Sequence, residues 1–198
     1  DGLKTLIFSG DAESDLQIAM PSMLEYRVDG CFFLSNDISP QSAARYTEFD
    51  IPLVVVFNSD IEGISDHSDE VPVGAVLVEA ASGQVLAADG NRNVEWNDPT
   101  AHAEMLVIRA AAEKLGAPRL AGCDLYVSLE PCPMCAAAIS LARIRRLYFG
   151  AYDAKGGGVE HGPRIFTQPT CHHAPEVYGG IGEAEAAALL RDFFAAKR

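Results

Sequence analysis

Two short stretches, Asp98-Pro99-Thr100-Ala101-His102-Ala103-Glu104 and Glu130-Pro131-Cys132-Pro133-Met134-Cys135, limit the fold of this chain more than any other feature. An imidazole and two thiols three residues apart become a metal-binding set only if the chain brings both stretches together. Cys132 and Cys135 flank Pro133, a residue favoured in the first turn of a helix, and a spacing of three puts both sulfurs on one side of that turn. Unpaired N–H groups and the dipole at a helix start favour thiolate, the form that binds metal. Asp98-Pro99-Thr100 reads as a capped start for an apolar-rich helix over 101–115, so a second helix N-terminus can face the first.

A structural zinc site takes four protein ligands, whereas a catalytic one takes three and leaves a position for a water whose pKa the metal lowers. His102, Cys132 and Cys135 make three, and Glu104 is left free of the metal but near its water. Alone, a Cys-x-x-Cys also serves as half of a structural zinc site or as a redox pair, and a His-x-Glu is common. Together and in this order, H-x-E and P-C-x-x-C are a known signature of zinc deaminases acting on nucleobases.

At 198 residues the chain has room for one large or two small domains. It has no run of about 18 apolar residues and no basic leader before an apolar stretch, so neither a membrane span nor a signal peptide is expected, and a cytoplasmic location is. Five cysteines (Cys31, Cys123, Cys132, Cys135, Cys171) at irregular spacings fit a reducing compartment better than a disulfide framework. Residues 1–69 hold 3 Lys/Arg against 13 Asp/Glu, and residues 70–198 hold 12 against 15, so the formal charge of −13 belongs mostly to the front third. An acidic segment repels phosphate. Any contact with nucleic acid therefore falls to local basic groups such as Arg92, Arg143, Arg145, Arg146, Lys155, Arg164, Lys197 and Arg198.

Residues 1–58 read as β-α-β-α-β: an apolar run at 3–8, a helix over 15–26 interrupted by Pro21, a strand at 31–34, a helix over 39–49 and a buried strand at 53–57. Continuously apolar strands joined by helices imply a parallel sheet covered on both faces. Arg27-Val28-Asp29-Gly30-Cys31-Phe32-Phe33-Leu34 and Ile51-Pro52-Leu53-Val54-Val55-Val56-Phe57-Asn58 resemble the sugar-binding domain of LacI/GalR-type repressors, a periplasmic-binding-protein-like fold. The stretch is a fragment of one lobe. That family binds its effector between two lobes, so neither a sugar site nor DNA reading is expected. Residues 59–69, polar and acidic around Gly63, read as a linker to a domain spanning 70–198.

In that domain, segments 73–80 and 84–89 alternate around Ala81-Ser82-Gly83 as a hairpin. The His102 helix, a strand at 124–129, the Cys helix to Ala142, a strand at 146–150 and a closing helix over 183–196 follow, giving a mixed sheet between helix layers. Glu70-Val71-Pro72-Val73-Gly74-Ala75-Val76, Asn91-Arg92, the two metal stretches, Phe149 to Gly157 and Leu189 to Phe194 closely resemble the bacterial tRNA adenosine deaminase family, TadA. The resemblance implies a three-layer α/β/α cytidine-deaminase-like fold, a homodimer, and hydrolysis of adenosine to inosine at the wobble position of an arginine tRNA. It implies Zn²⁺ on His102, Cys132 and Cys135, and Glu104 as proton shuttle. Asn91 and Ala103 match positions that contact the base, while Asp153 and Lys155 lie in the loop approaching the RNA of the anticodon stem-loop. Val73 and Trp96 are candidate walls for a splayed base. TadA relatives open with an amphipathic helix before the 70–73 stretch, and the linker stands in its place here, so the front segment is expected to dock over the sheet. Two other functions remain open: a zinc deaminase of a free base or nucleoside, and a ligand-responsive module based on residues 1–58.

Overall fold

The run Cys123-Asp124-Leu125-Tyr126-Val127-Ser128-Leu129 alternates large core side chains with smaller or polar ones, and it forms the middle strand about which the domain is layered. The computed structural model describes residues 31–34, 53–56 and 69–197. Strands β1 (Cys31–Leu34) and β2 (Leu53–Val56) pair in parallel, with Cys31 opposite Leu53 and Leu34 opposite Val56. They form a two-stranded sheet of their own, and β2 runs near the first strand of the larger sheet. The strand expected at 3–8, the two helices expected over 15–26 and 39–49, and the linker up to residue 68 lie outside the described residues.

The larger sheet comprises β3 (Gly74–Glu79), β4 (Val85–Gly90), β5 (Cys123–Leu129), β6 (Arg146–Ala151) and β7 (Glu176–Tyr178), in the order β4-β3-β5-β6-β7. It is mixed, as expected: β3 is antiparallel to β4 and β5, while β6 is parallel to β5 and β7. Helices α1 (Asn93–Trp96), α2 (Ala103–Leu115), α3 (Pro133–Ala142) and α4 (Glu183–Ala196) complete the domain, with a 3₁₀ turn at Ile165–Thr167. The short β7, α1 and 3₁₀ turn were not expected, because three or four residues carry no readable period.

One face of the sheet presents Leu77, Leu125, Val127, Leu147 and Phe149 to Val107 and Ala111 of α2 and Ile139 of α3, forming a single buried core. The other face carries Val76, paired with Tyr126, and a stack of Tyr126, Tyr148 and Tyr178 with ring centroids 4.5 and 4.9 Å apart. Helix α4 lies on that second side, so close that a Cβ at Gly150 would meet the Cβ of Ala186 at 3.1 Å. Helices on both faces make the α/β/α layering. Leu190 of α4 packs toward the core while Phe194 is half exposed, so the apolar residues of this helix are not equally covered. Lys197, just past α4, donates to the carbonyl and carboxylate of Asp69 at 3.0 and 2.9 Å, tying the end of α4 to the stretch that precedes β3.

The topology also decides where a site forms. Because β3 is antiparallel to both neighbours, β4 and β5 run the same way, and β6 runs with β5. The segments beginning at Asn91, Glu130 and Tyr152 therefore all leave one edge of the sheet, where the carboxyl ends of parallel strands leave a crevice in α/β folds.

Candidate active site

Both metal stretches arrive at this edge as helix starts. His102 is the N-cap residue of α2 and Cys132 that of α3, each in extended backbone and neither making a capping bond with its own side chain. Their side chains are turned toward each other instead. The expected cap at Asp98-Pro99-Thr100 is corrected here: α2 begins at Ala103 rather than 101, and Asp98 Oδ1 closes a local turn by accepting from the Thr100 amide and hydroxyl at 2.8 and 2.7 Å. The orphan amide of Ala103 is satisfied from 12 residues upstream, by Asn91 Oδ1 at 2.9 Å. At α3, Pro133 occupies the first position, where its missing N–H costs nothing.

His102 Nδ1 stands 3.7 Å from Cys132 Sγ and 3.6 Å from Cys135 Sγ. The three donor atoms lie within 4.8 Å of one another, and this is the one such group among the described residues. The fit to zinc can be tested from bond lengths. Tetrahedral bonds of about 2.3 Å to sulfur and about 2.0–2.1 Å to nitrogen subtend an N···S edge of roughly 3.6 Å, which both distances match. Charge agrees as well. The Cys135 thiol and the His102 ring pull the Cys132 thiol down to about 4, against the opposing effect of burial. The Cys132 thiolate in turn raises His102 above its ordinary value, and hydrogen bonding to that thiolate together with burial pushes Cys135 up. The protein by itself thus stabilises one thiolate, and a divalent cation supplies what the second requires.

Glu104, in the first turn of α2, is 3 % exposed, and burial raises its carboxyl above the usual range. Structure brings His102, Glu104, Cys132 and Cys135 together. It treats the other four expected residues differently. Asn91 spends its carbonyl on Ala103 and its amide on the carbonyl of Val71 at 3.3 Å, and Ala103 is wholly buried. Asp153 organises its own loop, accepting from the amides of Lys155 and Gly156 at 3.0 and 2.9 Å, while Lys155 is exposed at the loop's tip. Of the candidate walls, Val73 belongs to the core and Trp96 is half exposed, with the Arg92 guanidinium 5.7 Å from its ring centroid.

Much of the basic surface is already committed. Arg92 pairs with Asp89 and Glu95, Arg145 with the buried Asp124, and Arg146 with Glu176. The Cys171-His172-His173 run latches the end of α3: His173 Nε2 donates to the Ile144 carbonyl at 2.6 Å, Ser140 Oγ to the His173 carbonyl at 2.6 Å and Arg143 to the His172 carbonyl at 2.7 Å. Sequence reasoning missed Glu130. Its side chain is fully buried, and hydrogen bonds from His161 and from backbone amides of the loop hold its carboxyl below the usual range despite that burial. A carboxylate wedged between a strand and Pro131-Cys132, with Gly156-Gly157-Gly158 downstream, was the available signal.

A mixed α/β/α fold with a His/Cys/Cys donor set and a buried glutamate defines a zinc-binding deaminase of the cytidine deaminase type, and residues 61–151 match the family described as the cytidine and deoxycytidylate deaminase zinc-binding region. Relatives narrow this. The tRNA-specific adenosine deaminase of Agrobacterium fabrum (strain C58) is 66% identical over 130 residues, covering 66% of this chain and 84% of the relative. That of Rickettsia bellii (strain RML369-C) is 41% identical over 131 residues, 66% of this chain and 90% of the relative. A structure solved in work on A-to-I editing by tRNA:A34 deaminases at the wobble position of transfer RNA is 66% identical, with a TM-score of 0.59 over 61% of this chain and 86% of that one. A guanine deaminase from Nitrosomonas europaea, 24% identical, shares the fold at a TM-score of 0.59 over 88% of this chain and 93% of that one. The chain belongs to the tRNA-specific adenosine deaminase family, and zinc is its metal.

Proposed function

We propose that this protein hydrolyses adenosine to inosine and ammonia at the wobble position of a tRNA, within the anticodon stem-loop of an arginine tRNA. The observation that carries the reading is an imidazole nitrogen at tetrahedral edge length from each of two cysteine sulfurs, beside a buried carboxylate, in a chain 66% identical to a tRNA-specific adenosine deaminase. His102 Nδ1 and the sulfurs of Cys132 and Cys135 hold the metal. When bound, zinc supplies a Lewis acid that brings the pKa of a water near 7.

Glu104 is the acid–base group. One of its carboxylate oxygens takes a proton from the attacking water and returns it to the departing amine as C6 loses ammonia. Its burial supports this role, since burial raises the carboxyl above its usual range and so favours its holding a proton between the two transfers. Asn91 fixes the start of α2 through Ala103 and leaves the base to be held at that helix end. The loop carrying Asp153 and Lys155 meets the RNA backbone, with Lys155 as its exposed cation. We further propose a homodimer, a cytoplasmic site of action following from the tRNA substrate, and a partial LacI/GalR-like segment (1–58) joined by linker 59–69 to the deaminase domain 70–198. The test is turnover by the full chain on an arginine anticodon stem-loop beside free guanine and cytidine. Inosine in the RNA is expected, and turnover of a free base alone overturns the assignment.

A further inference from the structure

The carboxylate of Glu130 gathers both ends of one loop. Oε1 accepts from the amides of Val159, Glu160 and His161 at 3.2, 2.8 and 2.9 Å, while Oε2 accepts from the Asp153 amide at 3.0 Å and faces His161 Nδ1 at 2.7 Å. Residues 153 and 159–161 thus converge on a single buried anion. Between them the chain has little room: a Cβ on Gly157 would meet Glu130 Cδ at 2.5 Å, and one on Gly158 would meet Pro133 N at 2.6 Å. The Gly158 amide also donates to the Pro131 carbonyl at 2.8 Å. Ala154, Lys155 and Gly156 form the exposed tip of a loop whose stem is clamped.

Desolvation opposes a buried charge, and what keeps this one is its donors: four backbone amides of the loop and the His161 ring, which would lose their acceptor without it. Five donors aimed at one carboxylate fix a backbone conformation through charge-assisted bonds. That conformation fixes the backbone from which the exposed Lys155 side chain projects, so less ordering of the loop is needed when a phosphate arrives.

We propose that Glu130 is a positioning residue for RNA binding: it holds the 153–161 loop closed and so sets the affinity conferred by Lys155. This rests on the tRNA-deaminase reading above. In Glu130→Gln the amide oxygen retains one set of donors, but its NH₂ opposes the other, so one end of the loop is released. Gly157→Ala pushes the loop off the carboxylate without changing charge. Steady-state inosine formation on an anticodon stem-loop is measured for the full-length wild type, E130Q, G157A, K155A and the E130Q/K155A pair, with zinc content alongside. Expected are a rise in KM of about fivefold to tenfold in each single variant, the scale of one lost phosphate contact, with kcat within about twofold and one zinc per chain. The pair should be no worse than its weaker member, because both changes remove one contact. If E130Q does not accumulate as folded protein, G157A carries the same comparison. Loss of zinc with a falling kcat at unchanged KM overturns the proposal, as do fully additive effects in the pair. Wild type that makes no inosine on the RNA overturns the proposed function instead, while active wild type with KM untouched by these changes overturns only the role of Glu130.

Discussion

Asn91 separates two accounts of the site, because its geometry assigns it to the protein while the family resemblance assigns it to the base. Asn91 Oδ1 is the acceptor for the Ala103 amide, and Ala103 has no exposed surface. In Asn91→Ala that N–H loses its partner in a place water does not reach, which costs about 1–3 kcal/mol, in line with the roughly 1 kcal/mol lost with a typical helix cap. The bond from Asn91 Nδ2 to the Val71 carbonyl is long at 3.3 Å and adds only about 0.5 kcal/mol. A total near 2 kcal/mol lowers the melting temperature by about 4–8 °C, taking 2–4 °C per kcal/mol for a chain of this size. Asn91→Asp keeps the acceptor and adds a negative charge at a helix start, worth about 0.3–1 kcal/mol, so it should melt within a few degrees of wild type. Circular dichroism melts at one fixed zinc concentration measure this, since bound metal itself raises stability. If N91A melts with wild type and differs only in KM, Asn91 is a substrate contact and the capping argument fails.

Other outcomes follow from the same geometry. Glu104→Gln should retain one zinc per chain yet form no inosine, and a variant that still turns over removes Glu104 from the proton path. Zinc should bind more tightly as pH rises through neutrality, because Cys135 and part of His102 are held protonated until the metal displaces their protons, whereas Cys132, drawn to about 4, has already lost its own. Calorimetry in buffers of different ionisation heat should then find about one to two protons released per ion, and affinity independent of pH between about 6 and 8 contradicts it. The piece from Ser65 onward, made without the front segment, should bind a hydrophobic dye and melt below the full chain, because β2 runs near β3 and the sheet face carrying Val76 needs cover. Equal stability without dye binding makes the front third a passenger.

The metal donors were legible because their chemistry is local. Residue type, a spacing of three and a proline between the sulfurs are enough to place two thiols at a helix start, and an imidazole two residues before a glutamate completes a recognisable set. The hairpin around Gly83 and the long helices were legible for the same reason, since period and turn chemistry are written within a few residues. What the sequence left open depends on partners far along the chain. The cap of α2 was misplaced because the N-cap position is occupied by the metal ligand His102, whose ring faces the thiols, so the acceptor had to come from Asn91. Strand β7 exists only because β6 offers it a ladder. Glu130 looks in sequence like any acid before a proline, and its five donors lie 23 to 31 residues away. Only the shared edge of β4, β5 and β6 brings those groups together, because strand direction, which no local pattern encodes, decides which loops become neighbours.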